Sequence, residues 1–201
     1  MKTQMTLHYL DIETCRKTPE NDERDGFDPH KGKIITIQYQ PIDKRTGQLT
    51  GRLTILKEWE LSEKTMIQQF KPVFLGYNHP RTCFEFTPVG YNLKFEIDFL
   101  RHKLIEHCAL DRRPHLLWTK KPIIDLFSAV IIANNCNFKG AKLNNFSSKI
   151  HDGSIITQLY ENQKYDELTG YIKNEAEGFS EILKKLIRTL PEILTSKSLN
   201  T

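Results

Sequence analysis

Two acidic residues near the start of the chain, in the segment YLDIET, have the type and spacing that bind divalent metal ions. Asp11 and Glu13 are two residues apart, and Leu10 and Ile12 alternate with them as in a β-strand. Alternate residues of a strand share one face, so the two carboxylates would repel each other unless a cation lies between them. Oxygen ligands favour Mg²⁺ or Mn²⁺, and two such ions about 3.5–4 Å apart can hydrolyse a phosphodiester. A solvated strand end can show the same pattern without any chemistry, so the pair alone leaves both interpretations open.

A second acidic motif, GYNLKFEIDFL, runs from Gly90 to Leu100. Its glycine predicts a turn that delivers Asn92, followed by Glu96 and Asp98 at the start of an amphipathic helix. Residues two apart on a helix differ by about 200° in direction, so at most one of these two carboxylates can face a metal site. An acid in the first turn can also serve only to complement the helix dipole, a stabilisation of roughly 0.3–1 kcal/mol.

The third motif, YIKNE, places Tyr171 and Glu175 four residues apart in a predicted helix, and therefore on one helix face. Many helices carry Tyr and Glu at this spacing without any catalytic function. Glu167 and Glu177 are weaker alternatives to Glu175, because neither follows a tyrosine by four residues.

The rest of the sequence predicts the elements that would position these motifs. We expect strands over residues 5–13 and 33–43, and an antiparallel hairpin whose turn has Thr46 and Gly47 near its tip. A β-rich first half and a helical second half indicate a central sheet covered by helices. The further expectations are a short helix with Ser62 as its N-cap, a strand that ends at Gly90, and helices over 94–108, 122–135, 141–151 and from about 165 or 170 to Pro191.

Length and composition fit one soluble domain, with 38% hydrophobic and 27% charged residues among 201. We expect the domain to span residues 1–190, followed by a flexible tail at residues 191–201. No signal peptide is recognisable and no apolar stretch approaches the roughly 20 residues of a membrane span, so we expect a cytoplasmic protein without a membrane partner. The net charge of +4 permits a polyanionic partner without requiring one. The four cysteines lack the spacing of a disulfide framework or a zinc module.

In their order and spacing, the three motifs together resemble the exonuclease motifs of the DEDD superfamily. They most resemble the proofreading exonuclease domains of family B DNA polymerases and their stand-alone relatives, in the branch whose third motif carries Tyr. Asp11 and Glu13 match D-x-E, residues 90–100 match G-(Y/F/H)-N-x-x-F-D-x-x-F-L, and Tyr171 with Glu175 matches Y-x-x-x-D. Glu96 and Glu175 stand where the family usually has Asp. With KIITIQ, IIDLF and KLNNFSSKI, the resemblance covers about residues 6 to 188.

The resemblance implies an α/β fold of the ribonuclease-H-like kind, a mixed central sheet with an antiparallel hairpin half, flanked by helices. It implies a 3′-to-5′ exonuclease that removes nucleoside 5′-monophosphates from single-stranded DNA or RNA ends. Two divalent ions, Mg²⁺ or Mn²⁺, would be held by four carboxylates, and Tyr171 would hydrogen-bond the attacking water. The implied metal ligands are Asp11, Glu13, Glu96 and Glu175, with Asp98 as the alternative to Glu96.

Several neighbouring residues are candidates for contact with the substrate. By the resemblance, Asn92 would lie near the nucleic acid. Tyr91 could stack on an unpaired base and Lys94 could contact a phosphate, as in proteins that bind single strands. Phe95 is assigned to the core. The weaker candidates are Phe127 and Phe138 for stacking and Lys139, Lys142 and Lys173 for phosphates.

The two glutamates at usual aspartate positions leave a second hypothesis open. One extra methylene moves a carboxylate by roughly an ångström unless the backbone compensates. The alternative is therefore a catalytically weakened member of the same fold that acts as a nucleic-acid-binding or protein-interaction module. An RNA-processing ribonuclease would share the site, and the sequence does not choose between DNA and RNA.

Overall fold

The computed structural model describes residues 5–76, 85–108, 121–147 and 153–196, and its strands form one mixed sheet. Their spatial order is β3-β2-β1-β4-β5, where the first three are antiparallel neighbours and β1, β4 and β5 run parallel. These labels denote β1 (Leu7–Arg16), β2 (Gly32–Ile42), β3 (Thr54–Lys57), β4 (Thr87–Gly90) and β5 (Ile124–Asp125).

The two halves of the sheet meet at β1, which carries the first acidic motif. In its antiparallel pairing with β2, Asp11 lies opposite Gln38 and Glu13 lies opposite Thr36. The register shifts directly after Glu13, an irregularity of the kind that is common beside functional sites. Because β1, β4 and β5 are parallel, their carboxyl ends point to one edge of the sheet, and the helices that follow β4 and β5 begin there.

Helices cover both faces of the sheet. Leu10 and Ile12 belong to the apolar cluster on one face, and Tyr9 and Cys15 belong to clusters on the other. Because successive side chains of a strand point to opposite faces, Asp11 and Glu13 lie on the second face, together with Tyr9 and Cys15. The helices are α1 (Glu63–Leu75) and α2 (Leu93–Cys108) on the first face, and α3 (Leu126–Ala133), α4 (Ile156–Glu161) and α5 (Tyr165–Ser196) on the second.

Most of the elements predicted for the first half are confirmed. The hairpin of β2 and β3 turns at Gly47, whose φ of 71° favours glycine and whose N–H donates to the Asp43 carbonyl at 2.8 Å. The predicted cap of α1 is present, because the Ser62 hydroxyl accepts a hydrogen bond from the Thr65 N–H at 3.3 Å. The helix itself is longer than the short one expected and continues to Leu75.

The helix predicted over residues 122–135 begins later than expected. Ile124–Asp125 forms β5 instead, because these two residues pair in parallel with the end of β4. The Asp125 carboxylate accepts from the Phe127 N–H at 3.0 Å and so caps α3.

The helix predicted over residues 141–151 is wrong for the described part of that range, which contains only the 3-10 turn Leu143–Asn145; residues 148–151 lie outside the described residues. The last helix starts at Tyr165 and continues through Gly170 and Pro191. The buried apolar face on both sides of Gly170 offsets the low helix propensity of that glycine. That face includes Leu168, Ile172, Ala176, Phe179, Ile182 and Leu183.

Among the described residues, no helix combines the length and the apolar character needed to cross a membrane. The expected domain boundary at residue 190 and the flexible tail after it stay predictions.

Three short elements near the cleft were not expected from the sequence. They are the helix α4 and the 3-10 turns Glu23–Phe27 and Gly153–Ile155.

Candidate active site

A cleft of about 660 Å³ lies where β1 extends past the end of β4. The cleft gathers residues from all three sequence motifs, although the motifs are separated by about 80 residues each. Its lining includes all five residues predicted to be catalytic, namely Asp11, Glu13, Glu96, Tyr171 and Glu175. The fold therefore brings the predicted residues to one place.

Asp11 is held in a defined orientation by two neighbours. Its Oδ2 accepts a hydrogen bond from the Gln38 amide at 2.9 Å and another from the Tyr9 hydroxyl at 3.2 Å. The Gln38 amide oxygen in turn accepts from the buried Thr36 hydroxyl at 2.9 Å, and because an ionised carboxylate only accepts, the amide nitrogen is the end that faces Asp11. Burial, and next the charge of Asp11, raise the pKa of Tyr9 well above its usual value, so its hydroxyl remains a donor.

Three carboxylates meet in the cleft although they come from a strand and a distant helix. One oxygen each of Asp11, Glu13 and Glu175 lies within 4.8 Å of the others. Three negative charges at such short range repel strongly, and a divalent cation between them would reverse that repulsion. The donor set consists of carboxylate oxygens, which suits Mg²⁺ or Mn²⁺.

Glu96, in the first turn of α2, lines the same cleft without belonging to this group of three oxygens. The side chain is buried, with the residue 6% exposed, and its Oε2 accepts no hydrogen bond from the described residues. Burial raises the pKa of Glu96 well above its usual range, and the charges of Asp11, Asp125 and Glu175 add to the effect. A buried carboxylate without a donor is a position that a bound cation would satisfy, so the residues present fit a metal site.

Asp98, the alternative to Glu96, lies on the solvent side of α2. It accepts a hydrogen bond from Lys94 at 2.6 Å, and both side chains are exposed. Neither residue lines the cleft, so the structure places Glu96, rather than Asp98, at the site, and places Lys94 away from it. Glu167 and Glu177 are likewise exposed and outside the cleft lining.

Tyr171 and Glu175 share the face of α5 that turns toward the cleft. The Tyr171 hydroxyl is hydrogen-bonded to Glu175, one helical turn later. Burial, and then the charges of Glu175, Glu13 and Asp11, raise the pKa of Tyr171, so the phenol keeps its proton at neutral pH. The hydroxyl faces the short turn at Gly153, where an added Cβ would lie 3.9 Å from it.

The turn between β4 and α2 holds Asn92 at the mouth of the cleft. Its φ of 63° is unusual for a residue other than glycine, and its N–H donates to the Asp125 carboxylate at 2.8 Å. Tyr91 also lines the cleft, but its hydroxyl donates to the Ala141 carbonyl at 2.7 Å and its ring packs edge-on against Phe127. Asn92 therefore stays exposed toward a ligand, whereas Tyr91 mainly supports the wall.

Phe95, expected in the core, has two roles in the structure. It packs against the apolar cluster of the first face, but it is half-buried and also lines the cleft, with Phe99 behind it. Phe27, from the polar loop between β1 and β2, lies 6.3 Å from Phe95 between ring centroids and is 69% exposed. The two rings give this end of the cleft an apolar wall.

Sequence reasoning did not identify several residues that build the site. Gln38 and Tyr9 orient Asp11, and Asp125 holds the turn at Asn92. Gln38 could have been inferred from the sequence, because the alternation of β1 and β2 fits an antiparallel pairing, and that pairing places Gln38 opposite Asp11. Phe27 gave no such signal, because it lies in a loop of mostly charged residues.

The mixed sheet, its flanking helices and the acidic cleft define the class of the fold as α/β of the ribonuclease-H-like kind. No family model matches the chain and no curated protein matches its sequence. In structure it is similar to exonuclease I bound to the inhibitor BCBP, with a TM-score of 0.60 and 12% identity over 96% of this chain and 43% of that one.

Two structures of exonuclease I from E. coli give the same result. The zinc-bound form in complex with single-stranded DNA has a TM-score of 0.57 and 12% identity, covering 96% of this chain and 42% of that one. The complex with a dT13 oligonucleotide has a TM-score of 0.55 and 11% identity, covering 96% and 43%. The chain thus spans less than half the length of these exonuclease I chains. The likeness confirms the predicted fold; the resemblance to polymerase exonuclease domains stays a prediction.

Proposed function

We propose that this chain is a metal-dependent 3′-to-5′ exonuclease that releases nucleoside 5′-monophosphates from single-stranded DNA or RNA ends. The observation that carries the proposal is the meeting of carboxylates from distant parts of the chain in one cleft. Oxygens of Asp11, Glu13 and Glu175 lie within 4.8 Å of one another, and the buried Glu96 lines the same cleft. The similarity in fold to exonuclease I, which has been crystallised with single-stranded oligonucleotides, supports a nucleic-acid substrate.

The four carboxylates would hold two divalent ions, Mg²⁺ or Mn²⁺. When bound, such ions lower the pKa of a water molecule and stabilise the charge that develops on the phosphate and the departing oxygen. The pair from β1 and the two glutamates from α2 and α5 supply charges for this role from different sides of the cleft. The hydrogen bonds from Gln38 and Tyr9 keep Asp11 in one orientation before any ion arrives.

The residues of the chain position the reactants. The Tyr171 hydroxyl donates a hydrogen bond to Glu175, so its oxygen remains an acceptor that can orient the attacking water. The water oxygen bonds to the terminal phosphorus, and the bond from phosphorus to the 3′ oxygen of the preceding nucleotide breaks. The water loses one proton to solvent, and the departing 3′ oxygen takes a proton from solvent, so the shortened strand leaves with a 3′ hydroxyl. Asn92, at the cleft mouth, would contact the terminal nucleotide.

Digestion of 5′-labelled oligonucleotides tests the proposal. Single- and double-stranded DNA and RNA would be incubated with Mg²⁺ or Mn²⁺, and with EDTA as a control. We expect ladders that shorten from the 3′ end of single strands, only with a divalent ion. The product released in each step should co-migrate with a nucleoside 5′-monophosphate.

The variant Asp11→Ala separates this enzyme from a contaminating nuclease and from the binding module. Cleavage that persists in the purified variant would contradict the proposal. Absence of cleavage in both proteins, combined with tight oligonucleotide binding, would instead favour the nucleic-acid-binding alternative. Cleavage confined to RNA would identify a ribonuclease that uses the same site.

A further inference from the structure

The cleft has two rims that differ in charge. The loop of residues 17–31, which contributes Phe27 to one rim, contains five acidic and three basic residues. Residues 139–147, which contribute Lys142 to the other rim, contain two lysines and no acidic residue. A polyanionic strand that leaves the cleft would therefore be repelled by the first rim and attracted by the second.

The positive charge continues from the second rim onto α5. The Lys185 ammonium donates to the Phe146 carbonyl at 3.2 Å, which joins the rim segment to the helix. Residues 182–189 of α5 contain Lys184, Lys185 and Arg188 and no acidic residue. Lys185 and Arg188 are exposed.

The hairpin of β2 and β3 brings a third basic segment to the same place. Its turn packs tightly on α5, since a Cβ on Gly47 would lie 3.0 Å from Ile187 and 3.1 Å from Leu183. Within the described residues, none of these cations forms an ion pair with an acidic side chain. We define the basic strip as Lys139, Lys142, Lys184, Lys185 and Arg188 together with Lys44, Arg45 and Arg52 of the hairpin.

We infer that the basic strip binds the phosphate backbone of the strand upstream of the nucleotide being removed. The inference rests on the proposed function, because the cleft defines where the strand ends. From Glu175 to Arg188 the helix rises by about 20 Å, a length that corresponds to roughly six phosphates at the 3.4 Å spacing of a stacked strand. A dinucleotide cannot reach the far end of the strip, whereas an oligonucleotide of 12 residues can.

An exposed aromatic ring beside the strip favours nucleic acid over another polyanion. Phe138 is 71% exposed, precedes Lys139 in the chain, and its ring lies 6.5 Å from that of Phe127, which lines the cleft. Binding sites for single strands combine cations for the phosphates with aromatic faces for the bases. An acidic peptide would use the cations but would have no need of the ring or of a path into the cleft.

The test compares two double variants that change the net charge equally. Arg45→Glu with Arg188→Glu reverses two exposed cations of the strip, and Lys64→Glu with Lys71→Glu reverses one exposed and one half-buried lysine of α1, on the other face of the sheet. Steady-state cleavage of dT12 and of a dinucleotide would be measured for both. We expect the strip variant to raise KM for dT12 on the order of tenfold with kcat unchanged, and to leave the dinucleotide unaffected. The control should match the unmodified protein on both substrates.

The salt dependence of binding gives a second readout that does not need catalysis. Fluorescence anisotropy of labelled dT12 would be measured without divalent ions, so a failure of the proposed hydrolysis would not affect it. Loss of two phosphate contacts should reduce the slope of log K against log salt by about 1.4. The neutral double variant Arg45→Gln with Arg188→Gln should also reduce this slope. It controls for misfolding that the charge reversal could cause.

Equal effects of the strip and control variants on dT12 would overturn the inference while leaving the exonuclease proposal intact. Binding of an aspartate-rich peptide that depends on the strip, without any change in dT12 binding, would also overturn it. Loss of dT12 affinity confined to the strip variants would support it even if no substrate were cleaved.

Discussion

The site is built from two pairs of carboxylates that are held in different ways. Asp11 and Glu13 project from one strand, where the ladder to β2 fixes their spacing and two hydrogen bonds fix the orientation of Asp11. Glu96 and Glu175 come from two helices on opposite faces of the sheet. Their positions therefore depend on how those helices pack. Only in this second pair does Glu stand where the resembled exonuclease motifs usually have Asp, and a longer side chain can make up for a backbone position that is set by packing.

Removing the charge of a strand carboxylate should have the largest effect. Asp11→Asn keeps the size of the side chain but removes one charge from the group of three oxygens. We expect cleavage of single-stranded oligonucleotides to fall by about 10³-fold, because metal-assisted stabilisation of this kind is worth several kcal/mol. Asp98→Asn, which alters the exposed carboxylate beside Lys94, is the matched control and should leave the rate within about twofold. Equal losses in the two variants would contradict the account.

Shortening a helix glutamate should have the next largest effect. Glu96→Asp and Glu175→Asp introduce the residue usual in the exonuclease motifs that the sequence resembles, but they withdraw the carboxylate by about an ångström, and a misplacement of that size typically costs about 10²-fold in rate. Single-turnover cleavage at saturating Mn²⁺ would measure the change. An increase in rate would show instead that the glutamates are weakened ligands and that helix packing does not require their length.

Loss of the support for Asp11 should have a smaller effect. Gln38→Leu removes the 2.9 Å hydrogen bond to Asp11 while leaving every carboxylate in place. Groups that orient metal ligands commonly contribute 10–100-fold, so we expect a loss of that size in Mn²⁺ affinity. Thr36→Val removes only the bond to Gln38 and should cost less. A larger loss of Mn²⁺ affinity in Thr36→Val than in Gln38→Leu would contradict this order and indicate a general loss of packing.

The smallest effect concerns stability without metal. Glu96→Gln replaces a buried acid, beside other carboxylates, with a neutral amide of the same shape. We expect its melting temperature in EDTA to rise by a few degrees, since about 1 kcal/mol corresponds to about 2–4 °C in a domain of this size. Addition of Mn²⁺ should raise the melting temperature of the unmodified protein more than that of the variant. A variant that melts lower in EDTA would show that the Glu96 charge is already compensated.

The strand and hairpin elements could be predicted because their signals are local. The alternation of residues 5–13 and the β-branched run after Lys33 identified β1 and β2, and Ser62 marked the start of α1. The β5 segment could not be identified, because Ile124–Asp125 is too short to show a period and is defined only by its pairing with β4. Residues 141–151 carried helical spacing that tertiary contacts override.

The candidate site could be predicted as a set of residues but not as a geometry. The three motifs named the carboxylates, and the helical period correctly allowed only one of Glu96 and Asp98 to face the cleft. The supporting groups depend on contacts across the fold, such as Asp125 bonding to the Asn92 backbone, and have no local pattern. Phe27 also has no local sequence pattern, because the position of this loop residue beside Phe95 is decided by packing alone.

Calorimetric titration with Mn²⁺ tests most directly the claim that strand and helix carboxylates form one metal site. The unmodified protein, freed of metal with EDTA and dialysed, should bind two ions per chain. Asp11→Asn and Glu175→Gln should each lower the number or affinity of bound ions, although the two residues lie in β1 and α5. Binding that is absent in the unmodified protein, or unchanged in both variants, would contradict the account.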